Sequence, residues 1–152
     1  MGVRRVPGWL WVTNIRRRQV IRDLEDRDRI SYKGTAGELR EVVTEVLHIL
    51  APTADVQATD WYKEARRSGK RKESTPTRAE RIRYILRARN TRSAQTEAAE
   101  TYVETVEERL GLVVSATYAR NSDAAHKGAE AAEVAQLLRY VNAVLLEVLP
   151  IP

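Results

Sequence analysis

The apolar positions of this 152-residue chain recur at three- and four-residue intervals almost throughout. That is the period of an amphipathic helix, not the two-residue period of a half-buried strand. The cleanest stripe is Leu39, Val42, Val43, Val46, Leu47 and Leu50. Thr35-Ala36-Gly37-Glu38 precedes it and reads as a capping box, and Pro52 ends it. A second capping box, Thr77-Arg78-Ala79-Glu80, predicts a shorter helix to about Asn90, with Ile82, Ile85, Leu86 and the aliphatic stem of Arg89 inward. Ala94, Ala98, Tyr102, Val103, Val106, Leu110, Val113, Val114 and Thr117 predict a long helix over 93–118, with Gly111 as its weak point. Val134, Leu137, Leu138, Val141, Val144, Leu145 and Val148 predict a last helix over 129–149, stopped by Pro150. A strongly charged first helix is expected over 13–30, with Ile15, Val20, Ile21 and Leu24 inward. No Asn-Gly or Asp-Gly pair separates alternating runs, and no repeat of solenoid length is present. The expected fold is all-α: a four- to five-helix bundle. It is expected as a charged N-terminal helix or arm over 1–34, then a bundle over 35–152 carrying a long basic loop insertion at 52–76.

Charge sharpens this picture. The chain holds 26 Lys and Arg against 21 Asp and Glu, a net +5. Residues 63–92 alone hold 12 basic and 3 acidic groups, whereas residues 93–152 hold 4 and 9. Arg66, Arg67, Lys70, Arg71 and Lys72 fall within seven residues, beside Ser68, Gly69 and Ser74. Such a run suits contact with phosphates, because each neutralised phosphate releases counterions; a solvated linker is the alternative. The pattern continues at Arg78, Arg81, Arg83, Arg87, Arg89 and Arg92 on the expected helix, which raises the prospect of a polyanion or an acidic partner surface. Trp61 and Tyr62 stand at its N-terminal edge, as base-stacking rings or as core anchors.

Composition also excludes chemistry. Without Cys there is no disulfide framework, thiol nucleophile or thiolate metal site. The two His, His48 and His126, are 78 positions apart, so no histidine-rich metal site is expected, and no carboxylate loop motif is present. No metal or cofactor is therefore expected. No apolar run approaches the ~18 residues of a membrane helix, and the apolar stretch near Met1 is too short for a signal peptide. The expectation is a cytoplasmic protein that does not engage membrane. His48, among Val46, Leu47, Ile49 and Leu50, reads as a surface or half-buried helix residue.

The junction of the last two long helices carries the candidate chemistry, at Arg120, Asn121 and His126. A histidine, with an ordinary pKa near 6.5, can take the proton of a ribose 2′-hydroxyl, and an arginine can hold the scissile phosphate. Asn121 can hydrogen-bond either group or the substrate. On one continuous helix, six residues rotate by about 600°, which points Arg120 and His126 about 120° apart. The pair therefore needs a helix break between them, or two subunits pooling their residues; Asn121, Ser122 and Asp123 are all good N-caps for such a break. The bare spacing is expected by chance about 0.8 times in a chain with 21 Arg and two His, so its weight comes from its place between two long helices. The plainer alternative is that Arg120 caps a helix and His126 makes an interhelix hydrogen bond.

In that setting Arg120-Asn121, followed by four residues and His126, resembles the HEPN superfamily motif. The resemblance covers about residues 77–149, or 35–149 with the basic insertion, and implies a small helical bundle, usually a homodimer that brings two motifs to one cleft. It further implies a metal-independent ribonuclease of a bacterial defence or toxin–antitoxin system, with Arg120, Asn121 and His126 catalytic. Lys127-Gly128 after the histidine departs from the glycine that often follows directly in that family. The Arg-rich helix with the last two helices also resembles the tail of predicted bacterial nucleases associated with Argonaute-related (pPIWI) defence loci. On this reading Arg66, Arg67, Lys70, Arg71, Lys72, Arg78 and Arg81 hold RNA. The competing readings are a non-catalytic module that binds nucleic acid or an acidic protein, and a helical subunit that works only within a larger complex.

Overall fold

A computed structural model describes residues 8–26, 33–119 and 124–149, with side chains over 14–26, 34–109 and 131–149. Among these the chain is all-helical. The helices are α1 (Gly8–Glu25), α2 (Lys33–Leu50), α3 (Thr53–Ala58), α4 (Asp60–Arg67), α5 (Arg78–Ala88), α6 (Ser93–Ala119) and α7 (Ala124–Val148). Helices α1, α2, α5, α6 and α7 are the bundle that the apolar periodicity predicts. Helices α3 and α4 lie inside the segment expected as a loop, so residues 52–76 are half helical. Each has a single buried apolar anchor, Val56 or Tyr62, too sparse a pattern to read as a stripe.

Helix α2 is the central staple. Its expected stripe is buried at Leu39, Val42, Val43, Val46 and Leu47, and the helix touches α1, α5, α6 and α7. Burying such a stripe supplies most of a helix's stability, at about 25 cal/mol per Å² of apolar surface. From α5 come Ile82, Ile85 and Leu86; from α7 come Val134, Leu137, Val141, Val144 and Val148, as their spacing predicts.

Three expectations shift. Helix α1 starts earlier and ends earlier than 13–30, and it buries Val20 while Ile15 and Ile21 remain exposed. Its inward face follows Val20, Asp23 and Leu24, a three- and four-residue step that includes a polar member. Helix α2 begins before Thr35, so Thr35 is not its cap. The Thr35 hydroxyl instead donates to the Asp23 carboxylate at 2.8 Å, with both residues buried, and so locks α1 to α2. On α6 Val103 and Val106 are buried as expected, but Ala94, Ala98 and Tyr102 face solvent, and Thr96 and Ala99 are buried in their place. The Thr77–Glu80 capping box is present as expected, with both reciprocal hydrogen bonds made.

Candidate nucleic-acid interface

The segment between α4 and α5 is built from its own side chains. Helix α4 ends in Arg66 and Arg67. The chain then reverses through Gly69, whose φ of 70° lies in the left-handed region that glycine adopts without a Cβ penalty. Arg71 turns back into the protein. Its Nε donates to the Tyr62 hydroxyl at 3.1 Å, its Nη1 pairs with Glu80 at 2.6 Å, and its Nη2 donates to the Thr75 carbonyl. Its guanidinium also lies 4.9 Å from the centre of the Tyr62 ring. The Tyr62 hydroxyl and Gln57 Nε2 both donate to the Ser74 carbonyl, at 2.7 and 2.6 Å, and Pro76 is buried. These bonds hold the basic segment against α3 and α4 as a folded arm.

The arm sorts the expected phosphate contacts into two groups. Arg66, Arg67, Lys70 and Lys72 are exposed. The nearest ionic partner of Arg67 is Glu64 at 3.8 Å, both side chains at least 70 % exposed, and a pair of that kind holds its charge weakly. Arg71, Arg78 and Arg81 point their charges at the protein instead. Arg78 donates to the Thr44 hydroxyl from Nε at 3.1 Å and from Nη2 at 2.8 Å, and pairs with Glu107 of α6. Arg81 is 1 % exposed; it donates to the Ala51 carbonyl and, at 2.8 Å, to the Thr53 hydroxyl. Desolvation pushes its pKa down, against the opposing pull of Tyr62 and Glu80, and an arginine keeps its proton even so. Its place is the corner where α2 hands over to α3. The 1 % exposure removes Arg81 from any surface a phosphate can reach.

The remaining arginines of α5 show the same division. Arg83 makes a two-pronged pair with Glu100 of α6, at 2.8 and 2.9 Å, and that bond raises its pKa despite partial burial. Arg89 donates to the Val148 carbonyl at 2.6 Å, satisfying a free carbonyl at the end of α7. Arg87 is exposed, its guanidinium 5.8 Å from the centre of the Trp61 ring, with Arg83 at 5.3 Å from the same ring. Trp61 is half-buried and meets Tyr62 edge to face, centroids 6.0 Å apart. Glu100 and Glu107 are the partners that the arginine count alone overlooks. Their seven-residue spacing puts them on one face of α6, a signal that only the α5–α6 pairing turns into meaning.

His48 lies exposed on α2, one turn beyond Thr44. Partial burial, then the charges of Arg81 and Arg78, push its imidazole below the ordinary histidine range. The other histidine, His126, is the third residue of α7, and the structure describes its backbone there. The free N–H groups of a helix's first turn attract anions. Arg120 and Asn121 lie outside the described residues. Among the described residues no three His, Asp or Glu side chains are grouped to hold a metal ion, and no helix is long and apolar enough to cross a membrane.

Compared with known protein families, residues 12–147 match the model of one described as predicted pPIWI-associating nuclease. The match runs from the first helix through the Arg120–His126 junction to the end of the last helix. No curated protein and no solved structure matches the chain.

Proposed function

Since the chain belongs to the predicted pPIWI-associating nuclease family, we propose that it is a metal-independent endoribonuclease of a bacterial defence or toxin–antitoxin type system, acting as a cytoplasmic homodimer. The family match carries the nuclease part of this reading, and the acid–base set is read from the Arg120–His126 motif. His126 is the general base toward a ribose 2′-hydroxyl. Arg120 steadies the phosphate as charge builds on it, and Asn121 supports either group. In a HEPN-like dimer, two copies of the set meet in one cleft. RNA reaches it along the arm, where Arg66, Arg67, Lys70 and Lys72 supply the exposed charge. Arg71, Arg78 and Arg81 contribute by shaping the surface that carries those cations. The family description names pPIWI proteins as associates, and we take such a protein as the partner in a defence complex.

The test is cleavage of RNA by the purified chain in the presence of EDTA. Wild type is expected to cut, and His126→Ala is expected to lose activity by a factor of 100 or more, on the order of a general base's contribution. Cleavage at the wild-type rate by that variant overturns the catalytic assignment. A second reading, a non-catalytic binding subunit, draws on the exposed arm itself. It requires that neutralising Arg66, Arg67 and Lys72 removes function while His126→Ala does not.

A further inference from the structure

Trp61 and Tyr62 are adjacent, yet the structure gives them opposite fates. Tyr62 is 1 % exposed and its hydroxyl is committed to Ser74 and Arg71. Trp61 keeps part of its surface in solvent, on the arm's own helix, beside an arginine that is also exposed. Two guanidinium groups lie by this ring. Arg83 is fixed by both oxygens of Glu100, so it positions the ring. Arg87 has no ion pair among the described residues, so its donors remain open to a ligand. Six residues separate Trp61 from Arg67, about 9 Å along the α4 axis. One short oligonucleotide can therefore meet the ring and the arm's exposed cations together.

We propose that Trp61 and Arg87 form a stacking subsite for an unpaired nucleobase, the Arg87 guanidinium over the ring stacking with the base, and Arg66, Arg67 and Lys70 following the backbone onward. The ligand class is single-stranded nucleic acid. In a duplex each base already has both faces covered, so a protein ring finds a partner only where bases are unpaired. Every base has a π-face, so the subsite is tolerant of sequence. This inference rests on the reading of the chain as a protein acting on RNA, and it names the form of RNA it takes.

The experiment measures binding of single-stranded 2′-O-methyl oligo(U), which lacks the free 2′-hydroxyl that cleavage would use, and of an RNA duplex of equal length. Wild type is expected to prefer the single strand. Trp61→Leu and Arg87→Gln are each expected to weaken single-strand binding about 5- to 30-fold and leave duplex binding unchanged. Lys70→Gln is expected to weaken both forms alike, as a backbone contact does. Arg87 is exposed, so its variant keeps the test valid should Trp61→Leu unfold. Equal losses on strand and duplex, or no loss on either, overturn the proposal. The outcomes stay separable from the catalytic reading. Discrimination between strand and duplex without RNA cleavage keeps the subsite and removes the nuclease; cleavage without discrimination does the reverse.

Discussion

Arg81 shows how much one side chain can decide. A charge taken from water is costly unless its donors are satisfied, and here they are satisfied by the Ala51 carbonyl and the Thr53 hydroxyl. Arg81→Met is expected to leave both acceptors without their donor and to destabilise the fold by about 3 kcal/mol, read from urea unfolding at unchanged slope. His48 makes the other residue-scale prediction. Its folded pKa lies below the unfolded value of 6.5, so the unfolded chain takes up the proton first as pH falls. The His48 contribution is therefore intact above about pH 6.5 and is lost as pH drops through that value toward the folded pKa. His48→Gln is expected to flatten the loss of stability as pH falls below about 6.5 relative to wild type; identical pH profiles would refute it. His48 sits exposed on its helix as the sequence predicts, whereas the Arg81 environment is not legible there. Arg81 belongs to an arginine series that reads as exposed charge, and only the fold places a carbonyl and a hydroxyl beneath it.

Among the elements, legibility follows the length and purity of the apolar stripe. Helices α2 and α7 bury the residues their periodicity selects, because five or six aliphatic side chains on one face leave a single way to turn the helix. On α6 the alanines at 94, 98 and 99 constrain rotation weakly, so Thr96 and Ala99 are buried instead of Ala94 and Ala98, while Val103 and Val106 are buried as expected. Thr35 is misread for a different reason: a hydroxyl three residues before a glutamate satisfies a capping pattern locally, but Asp23 on another helix takes the bond. The α4–α5 arm was the least legible element, since its order comes from hydrogen bonds rather than apolar burial. That order is testable. Arg71→Ala removes the anchor to Tyr62, Thr75 and Glu80, and trypsin is expected to cut after Arg66, Arg67, Lys70 or Lys72 several-fold faster while the bundle's unfolding midpoint moves little. A large drop in that midpoint would show the arm to be part of the core instead.

At the scale of the molecule, the expected contrast between a basic middle and an acidic last third resolves into internal pairing. Arg78 meets Glu107 and Arg83 meets Glu100 across the α5–α6 contact. The proposed catalytic residues Arg120, Asn121 and His126 are read from a sequence motif alone, and the first two lie outside the described residues. The pairing of α5 with α6 has one more consequence. It neutralises Arg78 and Arg83 between the two helices, while Arg66, Arg67, Lys70 and Lys72 stay exposed on α4 and its arm and Glu97, Glu104 and Glu108 stay exposed on α6. A polyanion is drawn to the arm and repelled by that face of α6, and dissolved salt shortens the range over which both forces are felt.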